Sequence, residues 1–198
     1  MLCQPPTDAE STNHMSFPSE ADLEVVAAQL GRPPRGTRSI AHRCPCGSPD
    51  VVETAPRLDD GTPFPTLFYL TCPRAVAACS RLESAGVMRD MQDRLGTDPE
   101  LADRYARAAD DYLRRRRAIA DVPEIARVAA GGMPERVKCL HVHLGHALAA
   151  GPGVNPFGDE VRDAVGPWWS DGPCVGATGT PGATGPGPVA ATGPGAER

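Results

Sequence analysis

The sequence predicts an α+β fold, a small antiparallel β-hairpin packed against several α-helices, with structureless tails at both ends. Three observations carry this reading. Two short runs rich in β-branched and aromatic residues, Asp50 to Ala55 and Thr66 to Thr71, flank the turn signal Asp59, Asp60, Gly61. Apolar residues recur at helical spacing in Leu101 to Ile119 and again in Val137 to Leu148. Gly, Pro, Ala and Thr dominate the chain after Asp171, a composition that cannot bury a core.

With 198 residues the chain fits one domain, placed at 19–169, after a polar, Pro-rich segment at 1–18 and before a tail at 170–198. Glycines 176, 179, 182 and 185 hold a collagen-like triplet in that tail, too short for a triple helix. The net charge of −5 argues against wholesale binding of nucleic acid or anionic membranes, which needs a basic excess. No stretch approaches the roughly 20 apolar residues of a membrane span. The N-terminus lacks the basic start and apolar run of a signal peptide, so a cytoplasmic location is expected. In that compartment the seven cysteines read as reduced thiols or metal ligands.

Taken in order, Ser19 and Asp22 form a capping pair for a first helix through Leu30, stopped by Gly31 and Pro33. Arg32 to Ser39 reads as a basic loop, and Ile40 to Pro49, with Cys44 and Cys46, as irregular chain. The hairpin follows, with room for one further short strand. Its antiparallel course would gather Cys44, Cys46 and Cys72 at the open end. Pro73 starts a helix that runs to Gly86, so Cys72 sits at a helix N-terminus, where the dipole favours a thiolate. Cys79, among alanines, reads as core.

Val87 to Leu95 forms a short helix ended by Gly96. Asp98 caps a longer one from Pro99 to Ile119, whose Arg114 to Arg117 end is expected to be exposed. Asp121 to Ala130 adds a turn or two before Gly131 and Gly132. Pro134 is the expected start of the central helix, which Gly151 and Pro152 end. Asn155 to Gly158 then turns the chain into a last aromatic segment, Glu160 to Trp169.

The central helix carries three of the five histidines. At about 100° per residue, Cys139, His143 and His146 share one face, the leucines lie opposite, and His141 sits at the edge. Thiolate with imidazole suits zinc, and cysteines alone suit an iron–sulfur cluster. The residues thus yield a candidate ligand set of Cys44, Cys46, Cys72 and Cys139 with His143 and His146. Three other readings compete with it. In the first the thiols simply fill the core; in the second Cys72 acts as a nucleophile with His143 or His146 as base; in the third a metal-free protein docks a partner through the helix at 99–119.

Three motifs in fixed order, RCPCGSP at Arg43 to Pro49, DGTPFPTLFYLTCP at Asp60 to Pro73 and VKCLHVHLGH at Val137 to His146, resemble the bacterial domain-of-unknown-function family 501. RLESAG and NPFG extend the resemblance to about Leu23 through Val161. The family's first motif resembles R-C-P-x-G-x-P, which matches Cys44 and leaves Cys46 at a variable position. The pattern carries over to Cys72, Cys139, His141, His143 and His146, so the resemblance implies Cys44, Cys72 and Cys139 with one histidine as the metal set, and the helix face of Cys139 favours His143 or His146 over His141. Members of the family often lie beside a septum-formation initiator and an exopolyphosphatase, which implies a link to cell division or polyphosphate metabolism.

Overall fold

The computed structural model describes residues 15–175. The reading of 1–14 and 176–198 as structureless, and Cys3 with it, falls outside the described residues. Within them the chain forms α1 (Glu20–Leu30), β1 (Thr37–Arg43), β2 (Pro49–Thr54), β3 (Phe68–Leu70), α2 (Pro73–Ser84), α3 (Val87–Thr97), α4 (Pro99–Ile119), α5 (Leu140–Ala150) and α6 (Pro156–Val165). Short 3-10 turns at Pro123–Ile125 and Ala130–Gly132 lie between α4 and α5. This is the expected α+β architecture.

Local chemistry sets most boundaries. Ser19 accepts the Asp22 amide and Asp22 accepts the Ser19 amide, a complete capping box. Asp22 also takes a two-pronged bond from Arg43 at 2.7 and 2.9 Å, which ties α1 to the end of β1. Asp98 caps α4 and Asn155 caps α6, each with a proline in the first turn.

The sheet is antiparallel in the order β1-β2-β3, with Ile40 opposite Val52 and Val51 opposite Leu70. β1 replaces what the sequence suggests is loop. Pro33 and Pro34 precede this strand and Pro45 follows it, so the prolines bracket β1 without interrupting its ladder. One sheet face, with Val51, Phe68 and Leu70, joins the main core; the other carries Ile40 and Val52 against Val26 of α1.

α5 lies in the main core with hardly an exposed side chain. Two glycines permit its close packing. A Cβ on Gly145 would stand 3.1 Å from the Phe68 carbonyl oxygen of β3, and one on Gly158 of α6 only 2.3 Å from that of His143. The helix begins at Leu140, six residues later than expected from Pro134. The preceding chain is occupied otherwise, because the Arg136 and Lys138 amides bond back to the Gly132 and Gly131 carbonyls.

Two surface expectations also change. Arg116 is buried and donates to the carbonyls of Pro65, Val128 and Ile125, so it ties three segments together instead of decorating an exposed helix end. The apolar stripe of α4, including Leu101, Tyr105 and Tyr112, faces the core. The described chain also stays on the core past Trp169, through buried Cys174 and Val175, with Arg74 holding the Gly172 carbonyl at 2.7 Å.

The glycines give a direct test of this packing. Gly96, inside α3 with no atom within 4 Å of a built Cβ, should gain about 0.5–1 kcal/mol on substitution by alanine. Gly158→Ala should lose roughly 2 kcal/mol or more through overpacking. Urea denaturation of the two variants measures both signs.

Candidate functional site

The structure separates the residues expected to share a metal. Cys139 is the N-cap of α5 with extended backbone (φ −147°, ψ 106°), so helical periodicity does not align it with His143 and His146. Cys44 sits in the turn after β1 beside Cys46, and burial pushes its thiol up to about 12. Cys72 caps α2 against Cys174. The hydrogen bond with Cys174 and burial raise its thiol, which overrides the thiolate-favouring helix end. Gln29 Nε2 lies 3.2 Å from the Cys174 sulfur. Among the described residues, ligand atoms from three His, Cys, Asp or Glu side chains come within 4.8 Å of one another at Glu83, Cys139 and His141. Cys44, Cys72, His143 and His146 are not in that group.

His143 and His146 serve a different purpose. Both are fully buried, and Asn155 holds them. Its Oδ1 accepts the Gly158 amide at 2.9 Å, which fixes the amide's orientation, and Nδ2 lies 3.4 Å from His143 Nδ1 and 3.3 Å from His146 Nδ1. The two hydrogens of one amide thus meet two imidazole lone pairs. The Nε2–H of His146 donates to Asp111 Oδ2 at 3.1 Å. Tyr105 gives its proton to the Arg136 carbonyl, so its oxygen accepts from His143 Nε2 at 3.2 Å. Both rings are therefore neutral and saturated with partners, unlike a base waiting for a substrate.

Burial, helped by the neighbouring His146, pushes His143 down to about 3; burial likewise lowers His146. Burial opposes ionisation of Asp111, but bonds from His146 and Arg115 bring it down to about 2.

The Glu83, Cys139 and His141 group lies where the end of α2 meets the start of α5. Glu83 Oε1 accepts the Leu140 amide at 2.8 Å, so a carboxylate from α2 caps the first turn of α5. His141 Nε2 lies 3.1 Å from the Val76 carbonyl and 3.4 Å from Ser80 Oγ. With Nε2–H donated there, Nδ1 is the nitrogen that carries the second proton of the metal-free imidazolium, the proton that a metal would displace. Nδ1 faces Glu83 Oε1 at 3.1 Å and Cys139 Sγ at 3.7 Å.

Three potential ligand atoms thus converge, and the side chains of His141 and Glu83 remain 23% and 24% exposed. Burial acts to raise the Cys139 thiol, but the contact with His141 and the Val142 amide outweigh it and the thiol lies below its usual range. The contact with Cys139, with the charge of Glu83 and against burial, lifts His141 to about 8. Sequence reasoning set His141 aside as off the helical face and missed Glu83 altogether. The available signal was the C-x-H spacing of Cys139 and His141, which puts both residues on one side when the first is extended rather than helical.

The buried histidines predict a pH dependence. An imidazole with a folded value near 3 and an unfolded value near 6.5 is protonated first in the unfolded chain. Its stabilisation is complete above about pH 6.5 and is lost as pH falls toward 3. Stability measured by urea at several pH values should drop about tenfold in folding equilibrium per pH unit in that window through His143, and His143→Leu should remove one proton from the slope. A flat profile from pH 6.5 to 4 would mean that the folded protein already accepts these protons.

Among the described residues, no helix is long and apolar enough to cross a membrane. Comparison with curated proteins finds no match, and comparison with solved structures finds none either. A family model described as "Protein of unknown function (DUF501)" matches residues 40–163, which run from β1 into α6 and include Glu83, Cys139 and His141. The chain therefore belongs to the DUF501 family.

Proposed function

We propose that this protein is a zinc-binding protein and that Glu83, Cys139 and His141 are the ligands. The observation that carries the proposal is the convergence of a thiol, an imidazole nitrogen and a carboxylate, while the other ring nitrogen of His141 is held by the Val76 carbonyl. Metal-ligating histidines commonly have their second nitrogen fixed in this way. The separations of 3.7 Å from sulfur to nitrogen and 3.1 Å from nitrogen to oxygen are close to those of ligands about 2.3 Å (sulfur) and 2.0 Å (nitrogen, oxygen) from one tetrahedral centre. One sulfur among three donors suits zinc far better than an iron–sulfur cluster, which is held mainly by cysteines.

Three protein ligands leave a fourth position for water, the arrangement of hydrolytic rather than purely structural zinc sites. A second reading rests on the lowered Cys139 thiol beside a raised His141. Without metal, the 3.7 Å contact at a partly exposed helix N-terminus places Cys139 as a nucleophile with His141 as its proton partner, in place of the one expected at Cys72.

Metal content of the full chain purified without chelators tests the proposal. The expected result is one zinc per chain, lost in Cys139→Ser and kept in Cys72→Ser. Glu83→Gln should weaken affinity at least tenfold. Zinc should also protect Cys139 from alkylation by iodoacetamide. A chain without zinc whose Cys139 alkylates fastest near neutral pH would favour the nucleophile reading, and zinc lost equally in Cys72→Ser would refute the ligand assignment.

A further inference from the structure

The sheet face opposite α5 is only partly covered. α1 lays Val26 on Ile40 and Val52 and then ends at Leu30. Beyond that end a cavity of about 370 Å³ opens, walled by Leu30, Val52, Leu58, Phe64 and Tyr69. This volume is at the lower end of the range for small-molecule sites, roughly 300–1,000 Å³, and too small for a docked helix.

The polar groups around these apolar walls are few. Arg32 is on the rim and bonds to the Pro33 carbonyl at 3.2 Å, with no carboxylate partner among the described residues. Arg35, also on the rim, pairs with Asp60 of the loop that faces it. Thr37 contributes to the wall, and its hydroxyl is buried without a hydrogen-bond partner. That oxygen is closed off from the cavity itself, which leaves Arg32 as the polar group free to meet a ligand.

The site is preformed. Gly31 turns the chain out of α1 at φ 67°, Pro33 and Pro34 stiffen the segment, and the Gly36 carbonyl takes the Ala55 amide at 2.7 Å. At Gly36 a Cβ would stand 2.7 Å from Leu58 Cδ2, so this glycine lets the basic segment close onto the cavity wall.

We propose that this cavity binds a small monocarboxylic acid with an apolar body, the hydrocarbon lying against Val52, Leu58 and Phe64 and the carboxylate meeting Arg32. Arg32 is a rim cation without a carboxylate partner, so an acid gains a charge-assisted bond there that a neutral molecule lacks, and a highly charged ligand would leave the walls uncovered. The proposal is independent of the zinc site, which lies at the junction of α2 and α5.

Octanoate and 1-octanol, titrated into the full chain and followed by amide chemical shifts, provide the test. Octanoate is expected to shift Thr37, Val52 and Tyr69 selectively. Arg32→Gln, at an exposed position, should weaken octanoate at least tenfold and leave octanol unchanged. Leu30→Trp, which fills the cavity from the end of α1, should abolish both. Absence of localised shifts at millimolar octanoate would overturn the proposal. So would equal binding of acid and alcohol, insensitive to Arg32→Gln, because the cavity would then be an apolar gap without an anion site.

Discussion

The approach of α6 to α5 at Gly158, where a Cβ would stand 2.3 Å from the His143 carbonyl oxygen, is the contact on which the rest of the structure depends. It places backbone against backbone and brings Asn155, the cap of α6, over the two histidines of α5. With β3 also close at Gly145 and the tyrosines of α4 around the imidazoles, α5 has almost no surface left for polar groups. Any histidine there must be neutral and fully bonded. The single amide of Asn155 meets that requirement for both rings, and Asp111 connects the network to the helix bearing Arg115.

Chemistry is thereby displaced from the face of α5 to its end. A buried helix still leaves its first amides unsatisfied, and here Glu83 from α2 supplies the acceptor. The same carboxylate meets His141 and lies close to Cys139, the last residue before the helix begins. The candidate site is thus a consequence of how α5 starts: a carboxylate drawn to the helix N-terminus, a thiol in the cap position and an imidazole in the first turn, at a partly exposed end of α5.

Much of the fold was legible because its signals are local. Ser19 with Asp22, Pro73, Asp98 with Pro99, and Asn155 with Pro156 each fix a helix start through caps and prolines a few residues apart. The hairpin strands were legible from Val51, Val52, Phe68 and Leu70 around the Asp59 to Gly61 turn. β1 was obscured because a seven-residue strand bordered by prolines resembles a loop in composition. The start of α5 was obscured for a nonlocal reason. Pro134 is a sound start signal, but the carbonyls of Gly131 and Gly132 claim the amides of Lys138 and Arg136.

That shift of six residues carried the candidate site with it. Cys139 as a helical residue pointed to His143 and His146, whereas Cys139 as a cap lies beside His141. Glu83 could not be found from its own surroundings, since an acidic residue near a helix end is ordinarily solvated; only the tertiary contact with Leu140 gives it a role. Arg116 was misread for the same reason, because the carbonyls it holds come from segments far along the chain.

X-ray absorption at the zinc edge of the purified full chain tests the central claim most directly. The account predicts one sulfur near 2.3 Å and nitrogen or oxygen scatterers near 2.0 Å, with an imidazole signature lost in His141→Gln. Two or more sulfur ligands would contradict it, because Glu83, Cys139 and His141 supply a single sulfur.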